Sequence, residues 1–318
     1  MTPIKKKRKL EKIIEHNLLP MIDRDYVLYG LPYYNNIGDS LIWDGELELL
    51  KKVRGKCVGV CGWDSYPNKK LPEDVIILIT GGGYFGDIWR DAWQNVLDGI
   101  AHNKNNTIII LPNTIYYTDE TVRDNDAAFL SQFPNLTICA RDKSSFEYAK
   151  RYFSNNTKLV PDMAFCMSER TIRKWARKRP DKETLLFKRI DKECPKLDFH
   201  VPEYEYDVQD WLPMEKELRP ERYFKAVLRR LHYLKYLGKN APQKALDSLY
   251  KIYYRRLMTR LGLEQLSSYS KIYTTRLHAM ILGVMLGRKI VMIDNSYGKL
   301  SSFYDTWLTD CDNVEKLN

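Results

Sequence analysis

Short apolar segments alternate with segments of helical spacing along the first half of the chain. Helical spacing follows the first apolar segment at residues 40–52 and the fifth at residues 144–152. Short continuous apolar runs are typical of strands that are buried on both faces of a parallel sheet. Their alternation with helices predicts βαβ units with right-handed crossovers. The predicted strands are residues 26–29, 58–60, 74–80, 107–111, 136–140 and 158–160.

The second half of the chain repeats this pattern on a smaller scale. The predicted elements are strands at 184–188, 271–275 and 289–293 and a helix from 276 to 286. With 318 residues, the chain is long enough for two domains. The two series of strands therefore predict an α/β protein with an N-terminal domain at 1–165 and a C-terminal domain at 166–318.

A strongly basic segment at residues 219–261 interrupts the second series. Between residues 219 and 260 it carries twelve Lys or Arg and only two acidic residues. Apolar positions recur at three- and four-residue spacing on both sides of Pro242, which predicts a hairpin of two helices, 221–237 and 243–261. The apolar stripe predicted for the second helix is Leu246, Leu249, Tyr253 and Leu257.

Composition and net charge limit the kinds of protein that the chain can be. Apolar residues make up 44% and charged residues 29%, as in ordinary globular domains, and the net charge is +10. The positive excess favours acidic partners, such as phosphorylated small molecules, anionic lipids or nucleic acid. No apolar run approaches the roughly 18–20 residues that span a bilayer, and the charged N-terminus is unlike a secretory signal. Six cysteines without metal-ligand spacing predict reduced thiols, no metal site and a cytoplasmic protein.

Candidate functional residues follow the predicted strands, because ligands of open α/β sheets bind where strands end and helices begin. The segment NNIGDS follows the first strand. Its residues Asn36, Gly38 and Asp39 predict either an anion-binding helix start or an ordinary capped turn. The segment GGGYFGDIW follows the third strand, and its residues Gly82 and Gly83 allow a ligand to approach the backbone closely.

Single charged residues in further turns are candidates for chemistry. Asp87 follows the glycine turn, either as an acid–base group or as a cap of the next helix. Arg189 ends its strand and suits a carboxylate or a phosphate. The segment TTRLHAM places Arg276 and His278 at the start of an apolar helix, where an anion is favoured and where His can transfer protons near neutral pH. The segment IDNSYGK adds a flexible turn with Lys299.

Two other pairs of residues at strand ends are interpreted as structural. Arg141 precedes Asp142, and Asp162 follows Pro161. Each pair alone favours a salt bridge or a helix cap over chemistry. The standard nucleotide-binding glycine motifs are absent from the sequence.

The ordered set of motifs resembles the polysaccharide pyruvyl transferase family. The motifs are NNIGDS, GGGYFGDIW, LPNT, ARDKSS, PDMAF, KRIDKE, TTRLHAMILGVMLGRK and IDNSYGK, spread between about residues 26 and 308. The resemblance implies two Rossmann-like domains with parallel sheets that face a cleft, as in GT-B glycosyltransferases. It also implies transfer of pyruvate from phosphoenolpyruvate onto two hydroxyls of a sugar as a cyclic ketal, with release of phosphate, in surface polysaccharide or glycan biosynthesis.

The resemblance also implies roles for individual residues. His278 would be the acid–base residue, and Asp87 would deprotonate or orient the acceptor hydroxyls. The residues that would hold the phosphate and carboxylate of phosphoenolpyruvate are Arg189, Arg276, Lys299 and Ser296. No cofactor is expected, since phosphoenolpyruvate is a substrate. No metal is expected either, because Arg and helix N-termini can neutralise the phosphate.

Two other classes of protein stay open as alternatives. A GT-B glycosyltransferase that uses a nucleotide sugar would share the architecture, and UDP binding would distinguish it. The tyrosines that interleave with basic residues in segment 219–261 also occur in nucleic-acid-binding proteins. No nucleic-acid motif accompanies that segment, so we expect no nucleic-acid partner.

The basic segment itself has two interpretations. It is either a scaffold with a solvated basic face or a surface that docks on the anionic inner face of a membrane, near a lipid-linked sugar. Docking predicts salt-sensitive binding to acidic vesicles, weakened by charge reversal at Arg229, Arg230, Arg255 and Arg256. A second basic run, residues 5–9, resembles a nuclear import signal but is interpreted as a solvated helix end.

Overall fold

Two parallel β-sheets with helices packed on their faces make up the fold, seen in a computed structural model. It describes residues 1–67, 69–153, 155–191, 193–194, 201–203, 205–211 and 247–317. The helices are α1 (Pro3–Leu18), α2 (Ile37–Leu50), α3 (Arg90–Ile100), α4 (Glu120–Leu130), α5 (Lys143–Tyr152), α6 (Glu169–Trp175), α7 (Arg255–Ser267), α8 (Leu277–Leu286) and α9 (Lys299–Trp307). Short 3-10 turns occupy Leu19–Met21 and Met163–Cys166. The first-half strands are β1 (Tyr26–Leu31), β2 (Cys57–Gly62), β3 (Ile76–Ile79), β4 (Gly82–Gly86), β5 (Ile108–Tyr116), β6 (Leu136–Ala140) and β7 (Asn156–Leu159). The second-half strands are β8 (Lys182–Phe187), β9 (Asp207–Gln209), β10 (Tyr269–Thr274), β11 (Lys289–Met292) and β12 (Val314–Lys316).

In each sheet the strand order changes direction at one point. These two points indicate where a ligand site is expected. Among the described residues the first sheet runs β2-β1-β3-β5-β6-β7, with β4 added on β5, and the second runs β12-β11-β10-β8-β9. All the strand pairs are parallel. The reversals fall between β1 and β3 and between β8 and β10. In open α/β sheets the loops at such points diverge and leave a crevice for ligands.

The continuous apolar runs form strands because the sheet is buried on both faces, as the sequence predicts. All four residues of β3 are fully buried, because alternate side chains enter hydrophobic clusters on opposite faces of the sheet. Ile76 and Leu78 join a cluster that continues into the second sheet through Leu185 and Ile272. The predicted α/β fold with parallel sheets is therefore confirmed. The domain boundary at residue 165 stays a prediction, and α1 from the first half packs on α8 from the second.

Three local predictions need correction. Helix α2 begins at Ile37 and not at residue 40, because the Asn36 side chain caps it by accepting a hydrogen bond from the Asp39 amide. The glycine turn is partly strand β4, which pairs with the second half of β5. Strand β5 also continues through Pro112, at an irregularity in its pairing with β6, where proline is tolerated within a sheet.

The basic surfaces also differ from prediction. Lys6 and Lys7 lie buried on the inner side of α1, paired with Asp310 and Glu11, so residues 5–9 are not a fully solvated run. Most of the basic segment 219–261 lies outside the described residues. Its described part is helical, with a π turn at Tyr250–Tyr254 that leads into α7.

The buried stripe of this helix lies one residue away from the predicted one. Tyr250, Tyr254 and Met258 are buried, whereas Tyr253 is exposed. Arg255 packs over the Trp43 ring and pairs with Asp44, so it does not belong to an outward-facing basic surface. Membrane docking stays a prediction. In the described parts of the chain no helix combines the length and apolarity that a bilayer crossing requires.

Candidate active site

A cavity of about 610 Å³ is lined by residues that follow the carboxyl ends of strands in both sheets. Its walls come from the loops after β1, β2, β3, β6, β8, β9, β10 and β11. The loops at both points of reversed strand order, after β1 and β3 and after β8 and β10, therefore line the same cavity. The cavity is lined by charged and aromatic side chains, as expected of a binding site for a polar ligand.

His278 lies in the first turn of α8, between the two halves of the protein. An ideal Cβ built on Gly38 would lie 2.3 Å from its Nδ1, so the first turn of α2 packs directly on the imidazole. On the other side His278 Nε2 is 3.4 Å from Oδ2 of the fully buried Asp162. This contact is electrostatic, and Nε2 has no hydrogen-bond partner among the described atoms. The ring is thus held between the first turn of α2 and Asp162, with Nε2 buried.

Arg141 directly follows β6 and is fully buried. Its guanidinium is the second group of the site with a nitrogen that has no hydrogen-bond partner among the described atoms. Its Nε donates to Thr114 Oγ1 at 2.8 Å and its Nη1 to Asp162 Oδ2 at 2.8 Å. Its Nη2, also buried, has no hydrogen-bond partner within the described structure. Although burial alone raises it, His278 and Arg141 hold the pKa of Asp162 below its ordinary value. Asp162 is therefore an ionised carboxylate that holds both side chains in place.

Lys299 and Glu193 form a second buried pair beside Arg141. Glu193 Oε2 accepts from Arg189 Nη1 at 2.7 Å, from the Tyr297 hydroxyl at 3.0 Å and from Lys299 Nζ at 3.4 Å. Although burial alone raises it, Lys299 and Arg189 hold the pKa of Glu193 below its ordinary value. Burial lowers the pKa of Lys299 to about 8, against the opposing charge of Glu193. This lysine therefore gains or loses its charge in the physiological range.

The two arginines predicted to clamp phosphoenolpyruvate are already paired with carboxylates. Arg189 donates through Nε and Nη2 to Asp191, at 2.7 and 2.9 Å, and through Nη1 to Glu193. Arg276 makes a bidentate pair with Asp210 and lies 3.3 Å from Asp191. Both line the cavity, but their charge is largely neutralised.

The glycines of the third-strand motif make room for the cationic groups. A Cβ on Gly83 would lie 2.7 Å from Lys299 Nζ and 3.0 Å from Arg141 Nη2. Gly82, one residue earlier, faces the Tyr84 ring instead. Asn36 caps α2, and Asp39 lines the cavity and accepts a hydrogen bond from the Tyr34 hydroxyl at 2.8 Å.

Replacing Gly83 by alanine should impair the site without unfolding the protein. The backbone at Gly83 does not have a positive φ, so the new methyl group is not strained by conformation. It would push Lys299 and Arg141 away from each other, and misplacing binding groups by about 1 Å lowers kcat/KM by roughly 10- to 100-fold. Steady-state kinetics and thermal unfolding test this. Gly59→Ala in β2 is the matched control, because its methyl group would meet only Val27. Unchanged kinetics in Gly83→Ala would contradict the arrangement.

Two predicted site residues do not join this cluster. Asp87 is absent from the cavity lining: its Oδ2 accepts from the amides of Thr118 and Asp119 and from the Thr118 hydroxyl, at 2.7 to 2.8 Å. It therefore holds the turn before α4. Ser296 is exposed, and its amide donates to the backbone oxygen of Glu193 at 3.4 Å.

Sequence reasoning missed four buried residues of the site. Arg141 and Asp162 were interpreted as structural, and Glu193 lay unremarked within KRIDKE. Glu46 gave no signal, because it lies in the middle of α2. Its carboxyl accepts from Thr80 Oγ1 at 2.9 Å and from the Gly81 amide at 2.8 Å, and burial raises its pKa to about 8. It therefore links α2 to Thr80 and Gly81, where the glycine segment begins.

The cavity has two chemically different ends. The cationic end consists of Arg141, His278 and Lys299, and it lies where α5 packs on α9. There Trp307 Nε1 donates to the backbone oxygen of Arg141 at 2.7 Å.

The aromatic end consists of Tyr34, Trp63 and Trp211, and it lies where α2 packs on α7. A Cβ on Gly262 of α7 would lie 3.7 Å from Trp211 and would touch Ile37 of α2. Trp63 and Trp211 follow β2 and β9, each of which is an edge strand of its sheet among the described residues.

The model of the polysaccharide pyruvyl transferase family matches residues 36–297, a range that includes Arg141, Asp162, Glu193 and His278 and ends just before Lys299. The chain belongs to this family. Among curated relatives, "Putative pyruvyl transferase EpsO" of Bacillus subtilis is 30% identical over 91% of this chain and 85% of its own length. "Pyruvyl transferase 1" of Schizosaccharomyces pombe is 25% identical over 89% of this chain and 70% of its own. The predicted membership is confirmed, and the protein is a transferase.

A solved structure supports the fold independently. A functionally uncharacterised protein from Klebsiella pneumoniae superposes with a TM-score of 0.59 at 19% identity, covering 99% of this chain and 98% of that one. At this identity the likeness concerns the fold alone. The pyruvyl transferase chain therefore has the α/β architecture that its strand pattern predicts.

Proposed function

We propose that this pyruvyl transferase moves pyruvate from phosphoenolpyruvate onto two hydroxyls of one sugar residue of a glycan acceptor, as a cyclic ketal, and releases phosphate. The observation that supports this donor most is the buried, unpartnered Nη2 of Arg141 beside Lys299 and His278. A buried cation with an open donor is stabilised by an anionic ligand. Phosphoenolpyruvate brings two anionic groups on three carbons, which fits so compact a set of donors.

Two protons leave the sugar hydroxyls; one balances the proton that enters at the methylene carbon, and the other departs on the released phosphate. Protonation of the methylene carbon makes C2 electrophilic, and the first sugar hydroxyl adds there. The C2–O bond to phosphate then breaks, and the second hydroxyl closes the ketal. We assign the acid–base role to His278, which Asp162 and Gly38 hold at the cationic end. Arg141 and Lys299 would neutralise the departing phosphate.

For the group that takes the proton of the acceptor hydroxyl we propose Asp39 and not the predicted Asp87. Asp39 lines the cavity and accepts a hydrogen bond at Oδ2 from the Tyr34 hydroxyl. It would accept the proton of a sugar hydroxyl, whereas Asp87 lies outside the cavity lining. The predicted N-terminal domain was expected to bind the acceptor and the C-terminal domain the donor. The donor groups proposed here come from both sheets, since Arg141 follows β6 and His278 and Lys299 follow β10 and β11.

The direct test is incubation with phosphoenolpyruvate and a panel of free and lipid-linked glycosides. The expected result is release of phosphate that depends on acceptor, with a mass gain of one pyruvate ketal on the glycoside. Calorimetry with UDP serves as the counter-test. Binding of UDP without binding of phosphoenolpyruvate would overturn the proposal in favour of a nucleotide-sugar glycosyltransferase.

Donor affinity should fall as the pH rises through about 8. Lys299 carries its charge below that pH and loses it above, since burial lowers its pKa to about 8. The phosphate group of the donor is already fully ionised there, because its second pKa is near 6. The dissociation constant should therefore rise about tenfold between pH ~7 and ~9. Calorimetry at several pH values measures this. Lys299→Arg should flatten the dependence, and a dependence retained in that variant would assign it to another group.

A further inference from the structure

Ten exposed basic residues lie together on a surface away from the cavity, and we call this surface the basic face. It spans three neighbouring helices, and none of its residues lines the cavity. Its members are Lys5, Arg8 and Lys12 of α1, Arg170, Arg173 and Lys174 of α6, Arg177, Lys178 and Arg179 of the segment after α6, and Arg260 of α7.

A shared carboxylate joins the basic residues of α1 to those of α6. Arg8 Nη2 lies 2.8 Å from Oε1 of Glu169, the first residue of α6, and Arg173 Nη2 lies 2.5 Å from Oε2 of the same carboxylate. Lys5 and Lys12 lie three residues before and four residues after Arg8, so they share its side of α1. The cations of the two helices therefore form one continuous surface.

An aromatic contact extends this surface from α6 to α7. The Nζ of Lys174 lies 4.4 Å from the centre of the Trp175 ring, and the guanidinium of Arg260 lies 5.1 Å from it. The amide of Arg177 donates to Ser267 Oγ, at the end of α7, at 2.9 Å. The basic segment after α6 therefore also stays next to α7.

The basic face carries far more positive than negative charge. Three carboxylates pair with four of its ten cations: Glu169 with Arg8 and Arg173, Asp181 with Arg177, and Glu264 with Arg260. The other six cations form no ion pair within the part of the chain that the structure describes. A positive surface of this kind attracts an extended anionic partner, and salt weakens the attraction.

Apolar side chains within the basic face favour a lipid surface as that partner. Ile4 is 60% exposed and lies one turn before Arg8, and Trp175 is half-buried. Basic residues combined with accessible apolar side chains are typical of helices that bind at a membrane interface. A single-stranded nucleic acid would instead stack its bases on open aromatic rings, whereas Lys174 and Arg260 already lie over the Trp175 ring.

We propose that the basic face docks on the surface of a bilayer that is rich in anionic lipid headgroups. The proposal is independent of the proposed reaction, because it uses no residue of the cavity. It also differs from docking through segment 219–261, since nine of its ten residues precede that segment. Each Lys or Arg near an anionic membrane strengthens binding about fivefold, so several together are enough for reversible attachment.

Sedimentation of the full chain with lipid vesicles tests the proposal. We expect binding to vesicles of equal parts phosphatidylcholine and phosphatidylglycerol, and none to vesicles of phosphatidylcholine alone. The binding should disappear near 1 M salt, where the Debye length is only about 3 Å. Equal binding to both kinds of vesicle, or no binding to the acidic ones at low salt, would overturn the proposal.

Charge reversal locates the docking surface. The variant Lys12→Glu, Arg170→Glu, Lys178→Glu changes three exposed cations that have no ion pair with a described residue, and its binding to acidic vesicles should fall at least about 100-fold. The matched control reverses the same amount of charge on exposed lysines outside α1, α6 and α7. It consists of Lys69→Glu, Lys104→Glu and Lys143→Glu, and its binding should fall much less. Thermal unfolding shows that both variants are folded. Lys12→Glu alone, with an expected loss of about fivefold or more, replaces the triple variant if that variant unfolds.

The remaining outcomes each assign the binding elsewhere. An equal loss in the two triple variants would mean that net charge and not the basic face attracts the membrane. Vesicle binding that survives in the basic-face variant but is lost in Arg229→Glu, Arg230→Glu would move the docking surface to segment 219–261. Binding to a DNA duplex at a salt concentration that releases the vesicles would make a nucleic acid the partner. Each of these results would overturn the proposal.

Discussion

Replacing His278 by alanine should lower kcat by roughly 10²- to 10⁴-fold, the usual contribution of a positioned acid–base group. The imidazole lies between Gly38 and Asp162, and its Nε2 has no hydrogen-bond partner among the described atoms. Removing it takes away the group assigned to protonate the donor, while Arg141 and Lys299 remain to bind it. Steady-state kinetics should therefore show a large loss of kcat with a small change in the affinity for phosphoenolpyruvate.

A second histidine provides the control. His16 is exposed on α1, outside the lining of the cavity, so His16→Ala should retain wild-type kinetics. Thermal unfolding of both variants shows whether the fold survives. Near-complete turnover by a folded His278→Ala protein would remove the acid–base assignment. A loss confined to donor affinity would instead make His278 a binding residue.

The strand pattern could be read from the sequence because burial on both faces leaves an unbroken apolar run. The same pattern locates His278, since a helix start after a strand must lie at the carboxyl edge of the sheet. It does not show which strand ends face the opposite sheet. For Arg141 and Asp162 the sequence favours a salt bridge or a helix cap, and only the folded chain shows that they pair with each other and that Arg141 lies beside Lys299.

Asp87 had two interpretations in the sequence, an acid–base group or a cap of the next helix. The three glycines before it favoured a turn. In the structure Gly82–Gly86 instead pairs with the end of β5, with Gly86 opposite Tyr116. This pairing carries Asp87 to the amides of Thr118 and Asp119. Since glycine is poor at forming strands, tertiary pairing and not local preference decides this segment.

Replacing Arg141 by methionine should damage both stability and donor binding. The substitution leaves Asp162 fully buried without its guanidinium partner, and the His278 imidazole is then the side chain nearest to its Oδ2. Breaking one partner of a buried ion pair lowers the free energy of unfolding by about 3–5 kcal/mol. The open Nη2 that we assign to the donor disappears at the same time. Denaturant unfolding and calorimetry with phosphoenolpyruvate should therefore both show a large loss.

A double variant separates the two effects. In Arg141→Met with Asp162→Asn the buried carboxylate charge is gone, so much of the lost stability should return, since neutral replacements of buried ion pairs are often tolerated. Donor binding should not return, because the guanidinium that faces Lys299 is still missing. Recovery of phosphoenolpyruvate binding together with stability would mean that Arg141 serves only to balance Asp162. Stability regained without donor binding would indicate that Arg141 itself binds phosphoenolpyruvate.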